Sequence, residues 1–162
     1  MPTPTSPAPW SAVEQELATT LRSLEEGESV VVEVTGAGRP AVLQERRLLG
    51  LVRERTGTVH PYTQAIRVDD ALVAECAGSP RTGGVYPWTP EEEERILALG
   101  WLVPDRPDFV VPGYQREWVA GPGLGYAEAT HTSEAAALMV RTLREVMACT
   151  DPADVRVQVN RS

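Results

Sequence analysis

Apolar positions recur every three or four residues in some stretches of the chain and every second residue in others, and this contrast of period orders the elements. Val13, Leu17, Leu21 and Leu24 share one helical face up to Gly27, and Ser11 and Glu14 are spaced as a capping box. A first helix is expected roughly over residues 11–26. Val30, Val32 and Val34 then alternate in a β-branched run between Gly27 and Gly36, which predicts a strand over 29–34. Residues 36–59 admit two readings. After a turn at Gly36 to Pro40, Ala41 to Arg55 forms either a second strand with a long hairpin or a short basic helix presenting Leu48, Leu51 and Val52. The helix is the preferred reading.

Pro61 to Val68, Asp69-Asp70 and Ala71 to Ala77 spell a tight hairpin, because aspartate tolerates the positive φ of a two-residue turn. That turn sets Gln64 opposite Glu75 and puts Tyr62, Gln64, Ile66, Val73 and Glu75 on one face. Thr63, Ala65, Leu72, Ala74 and Cys76 form the other face, small enough to receive a helix. Thr89, Pro90 and Glu92 then open a helix with a capping box, and Gly100 closes it in a left-handed conformation that folds Trp101 back. Trp101 to Val103 is expected as a short strand with Tyr114 to Val119 as its partner. A last helix capped by Thr132 or Ser133 buries Ala136, Met139, Val140, Leu143, Val146 and Met147. Asp151-Pro152 ends it, and Val155, Val157 and Val159 predict a final strand. The element order is α-β-(insert)-β-β-α-β-β-α-β, in a single domain over 10–162 preceded by a mobile proline-rich arm at 1–9.

Composition narrows the function classes. With 162 residues, 42% apolar and 23% charged, the chain suits one globular domain with its own core. The formal net charge of -8 argues against nucleic acid and against anionic membrane surfaces, and favours a basic or neutral peptide. No apolar run is long enough to span a bilayer and no leader is visible, so a cytoplasmic protein is expected. Cys76 and Cys149 lack metal or redox spacing and read as buried thiols.

Candidate chemistry is sparse. His60 and His131 have no histidine or cysteine at metal-ligand spacing, and Cys76 beside small apolar residues reads as a core group more readily than as a nucleophile. Gly121, Gly123 and Gly125 lack the leading strand of a phosphate-binding loop. Glu91 to Glu94 fit a first helical turn facing solvent, where they favour the macrodipole. No metal site and no cofactor is expected.

Pro61-Tyr62-Thr63-Gln64, Val73-Ala74-Glu75, Leu99-Gly100-Trp101 and the run from Val140 to Val146, in this element order, resemble the YbjN-like proteins, which are grouped with type III secretion chaperones as peptide-binding chaperone-like domains. The likeness covers roughly residues 10–150. It implies an α+β fold, an antiparallel sheet with helices packed on one face, that binds a peptide or protein without catalysis, and it implies a homodimer. The chain departs from the family pattern at 40–58, which looks like an insertion, and at Ala65, where an aromatic is usual. The first reading is therefore a non-catalytic binding module with Tyr62, Gln64, Glu75 and Trp118 as contacts, on the sheet face opposite the small residues. Its rivals are a small hydrolase or transferase with a site in the glycine-rich loops near His60 or His131, and a structural partner domain.

Overall fold

Among the described residues the alternating and helical runs become three helices and seven strands. The structure, a computed structural model, describes residues 9–49, 51–103 and 113–162, so the expected mobile arm lies outside it except for Pro9. In chain order the elements are α1 (Trp10–Ser23), β1 (Ser29–Val34), β2 (Arg39–Leu48), β3 (Leu51–Val59), β4 (Tyr62–Val68), β5 (Ala71–Ala77), α2 (Pro90–Ala98), β6 (Gly113–Val119), α3 (Ala129–Glu145) and β7 (Val155–Asn160). Five strands form one antiparallel sheet in the order β6-β5-β4-β1-β7, and β2 and β3 form a separate two-stranded sheet. This is the expected α+β class.

The β4–β5 hairpin has the register that its two-residue turn demands. Gln64 faces Glu75 and Val68 faces Ala71, with Asp69 at φ 52°. Thr63, Ala65, Leu72, Ala74 and Cys76 are all fully buried beneath the helical layer. Side chains from that face reach all three helices. Arg67 donates to the Leu24 carbonyl just beyond α1, Tyr114 to Glu93 on α2, and Trp118 to Glu134 on α3. Leu17, Leu21, Ile96, Met139, Val140 and Leu143 fill the space between the layers. Trp101, 1% exposed, closes one end and donates its indole N–H to Thr142 Oγ1 at 2.9 Å.

The ends of α2 match their sequence signals. Thr89 and Glu92 form the reciprocal capping box, and Gly100 sits at φ 104° with its amide bonded to the Leu97 carbonyl. The other caps differ. Helix α1 starts at Trp10, one residue earlier than expected, so Ser11 lies inside the first turn and caps nothing. Helix α3 starts at Ala129, and Thr132 bonds back to the Ala129 carbonyl instead of capping.

Residues 39–59 are not a helix. They form the β2–β3 hairpin, inserted between the neighbouring strands β1 and β4. The helical reading needed a buried stripe including Leu51, but Leu51 is 73% exposed. Trp101 to Val103 is likewise not a strand. Among the described residues a single bridge joins Leu102 to Gln115, on the edge of β6 away from β5.

Candidate functional site

The sheet register lines up the expected contacts on the face turned away from the helices. Gln64 donates Nε2–H to Glu75 Oε2 at 2.8 Å. One row then crosses all five strands as Gln115, Glu75, Gln64, Val31 and Gln158. Ile66 and Val73 pair beside this row, and Tyr62 pairs with Glu33 on its other side. Val31, Tyr62, Ile66 and Val73 are half-buried, so a partly apolar surface surrounds the central polar pair.

Glu75 is the unusual member. It is 3% exposed, and its second oxygen, Oε1, has no hydrogen-bond partner. Burial pushes its carboxyl up to about 7, against the opposing effect of the Gln64 hydrogen bond. Burial, then the nearby Glu75 charge and Cys76, pushes the Tyr62 hydroxyl up to about 12. Near neutral pH this row thus holds one carboxyl balanced between charged and neutral forms, beside a phenol that stays protonated. The backbone of β6 comes close here because residue 113 is glycine; a Cβ would collide with the Glu75 carboxylate and the Cys76 carbonyl.

Trp118 does not join this face. It pairs with Leu72, which is fully buried against the helices, and cross-strand partners project to the same side. Its ring is 7% exposed, with Nε1–H donated to Glu134 at 3.2 Å. Trp118 is a core anchor between sheet and α3. Tyr62, Gln64 and Glu75 remain together on the open face.

The acidic turn of α2 is also not simply solvated. Glu93 is 9% exposed and accepts hydrogen bonds from Ser79 at 2.7 Å and Tyr114 at 2.8 Å. Burial alone would raise its carboxyl, but those bonds and the Arg81 charge outweigh it and hold the group below its ordinary value. Glu92 takes a bidentate pair from Arg39 at the base of the arm, at 2.8 and 2.5 Å, which with the Thr89 bonds lowers its carboxyl too. Ser79 and Arg39 lie far from α2 in sequence, so no local pattern marked these links.

Groups that a catalytic reading would use are dispersed. His60 abuts Gly38 between β3 and β4, while His131 lies in the first turn of α3. The Nδ1 atoms of both are buried without a partner, and no hydrogen bond joins either ring to a nucleophile or carboxylate among the described residues. Burial pushes the Cys76 thiol well up, away from a reactive thiolate. A shallow groove of about 690 Å³ runs along α1 past Gln15, Thr19 and Ser133, and neither histidine lines it. Among the described residues, no helix is long and apolar enough to cross a membrane.

Three helices on one side of an antiparallel sheet, with a mixed polar and apolar row on the other, define an α+β domain. A family model described as T3SS (YopN, CesT) and YbjN peptide-binding chaperone 3 matches residues 4–161, and the chain belongs to that family. No curated protein and no solved structure matches it.

Proposed function

We propose that this chain is a non-catalytic, chaperone-like module of the cytoplasm that holds a segment of a protein partner against the open sheet face around Tyr62, Gln64 and Glu75. The observation that carries this reading is the face itself: four half-buried apolar side chains around one hydrogen-bonded polar pair, with the helices gathered on the opposite side. An extended segment can place apolar side chains on Val31, Ile66 and Val73 and a polar group beside Gln64. The net charge of -8 favours a basic or neutral segment.

A fluorescent library of extended, basic-apolar pentadecapeptides tests it. Ile66→Asp with Val73→Asp is expected to weaken the best binder at least tenfold while the far-ultraviolet spectrum is retained. Undiminished binding by that folded double variant refutes the site. His60→Ala with His131→Ala is expected to leave the same affinity within about twofold.

A further inference from the structure

Charge is spread unevenly along this chain. Between Gln44 and Arg55, across the β2–β3 turn, four arginines meet two glutamates, a local charge of +2 in a protein of net charge -8. The ladder then sorts these residues by face. Gln44 pairs with Arg55, Arg46 with Arg53 and Leu48 with Leu51, and partners in a ladder share a side, so one face of the arm collects three arginines and two leucines. Glu45, Arg47, Val52 and Glu54 fall on the other. Like charges directly opposed weaken a two-stranded ribbon, whose stability in water is marginal to begin with. Against a surface of opposite sign the same pairing is favourable.

The tip of the arm is apolar where a turn is usually polar. Leu49 holds φ 50°, a left-handed conformation that glycine, asparagine or aspartate normally supplies, and it is 97% exposed. Leu51 beside it is exposed as well, whereas Ala41 at the base of β2 is buried. Leucine at position 49 thus serves neither the backbone nor the core.

We propose that the β2–β3 arm is a membrane probe, whose leucine tip enters the interface of an anionic bilayer while its arginine face meets the headgroup phosphates. Apolar side chains at such an interface sink about 5–10 Å into the boundary between headgroups and acyl chains. Arg46 and Arg53 follow the Leu48–Leu51 pair by two residues, roughly 7 Å of strand, which brings them to phosphate level. Nucleic acid offers the anions but no apolar layer for Leu49. The net charge of -8 does not forbid the contact, because charges separated by more than a Debye length, about 8 Å at physiological salt, are largely screened. Leu49 lies eight residues beyond Ala41, roughly 25 Å along the strand, so at the tip the local charge dominates. This contact is independent of peptide binding on the Tyr62 face.

Flotation of the full chain with lipid vesicles tests it. Binding is expected with equal parts of phosphatidylglycerol and phosphatidylcholine, is expected to be absent with phosphatidylcholine alone, and is expected to fall as salt rises. Leu49→Gly with Leu51→Thr keeps a turn former and a strand former, so the circular dichroism is expected to be unchanged while vesicle affinity drops about tenfold or more. Arg46→Gln with Arg53→Gln is expected to lower it by a similar factor. Because Cys76 and Cys149 are buried, an environment-sensitive dye attached to Leu49→Cys reports the tip alone, and its emission is expected to shift to the blue on anionic vesicles. No binding at millimolar anionic lipid, undiminished affinity in the leucine variant, a dye that stays in water, or an arm that binds polyglutamate and not vesicles overturns the proposal. Vesicle binding retained by Ile66→Asp with Val73→Asp, whatever becomes of the peptide, supports it.

Discussion

Two hairpins of this protein share a plan and differ in what surrounds them. Both β4–β5 and β2–β3 pair antiparallel, and each has a non-glycine residue at positive φ in its turn, Asp69 at 52° and Leu49 at 50°. Hairpin β4–β5 lies between β1 and β6 under a helical layer, and its inner residues are fully buried. Hairpin β2–β3 stands apart from that sheet, slips register between Val42 and Gln44, and leaves Leu49 97% exposed. Burial on one face is what enforces a period of two on a sequence. Where no layer presses on the strands, charged and apolar residues mix freely and the pattern drifts toward a helical one.

The sharpest test of that difference is a matched pair of core and arm truncations. Leu72→Ala is expected to cost about 2–5 kcal/mol, as for a fully buried leucine, whereas Leu51→Ala on the arm is expected to stay within about 0.5 kcal/mol. Urea denaturation of both variants measures it, and equal losses would show the arm packed against the body.

A second effect is confined to the embedded hairpin. The Glu75 carboxyl is raised from its ordinary 4.5 to about 7, so the folded state holds a proton that the unfolded state releases earlier. Its contribution is fully present below pH 4.5 and is lost as pH rises toward 7. Glu75→Gln is therefore expected to stabilise the fold by on the order of 2 kcal/mol at pH 8 and by little at pH 4.5. Thermal melts across this range check the sign; a variant less stable at pH 8 would assign Glu75 a compensating cation.

Smaller effects concern backbone conformation. Gly100→Ala at φ 104° is expected to cost about 1 kcal/mol, read from the urea midpoint. At the turns, Leu49→Gly is expected to relieve roughly 0.5–1 kcal/mol of left-handed strain, and Asp69→Gly less, because aspartate adopts that region more readily than leucine. Proteolysis of the arm turn follows the first change, since an exposed turn at Leu49 reports its own local stability.

What was legible in the sequence follows the same division. The Thr89–Glu92 box, the Gly100 end and the Gln64–Glu75 register are set by residues within a few positions of one another or by one tight turn, and each is present. Of the candidate contacts, Tyr62, Gln64 and Glu75 share the open face. Trp118 does not, because it pairs with Leu72 on the helix side. Alternation groups residues by face, but which face meets the helices depends on the pairing of β6 with β5 across some forty residues, and a one-residue shift would reverse it. Glu93 escaped for a related reason, because its partners Ser79 and Tyr114 arrive from distant loops and strands. The arm pairs as a hairpin although Leu49 and Leu51 at its tip face solvent, so the spacing of its apolar residues there reports no core.

The position of β1 has a consequence for how the protein is made. This strand is flanked by β4, which follows it closely, and by β7, which follows it by roughly 120 residues. At typical elongation rates of about 5–20 residues per second, a nascent chain holds β1 with one side unpaired for on the order of ten seconds. Ser29, Val31 and Glu33 turn the backbone groups of that waiting edge toward the missing strand. Slow codons placed after α3 would prolong the interval in which a growing polypeptide can capture a neighbour on the same polysome, whereas slow codons ahead of β1 would leave it unchanged.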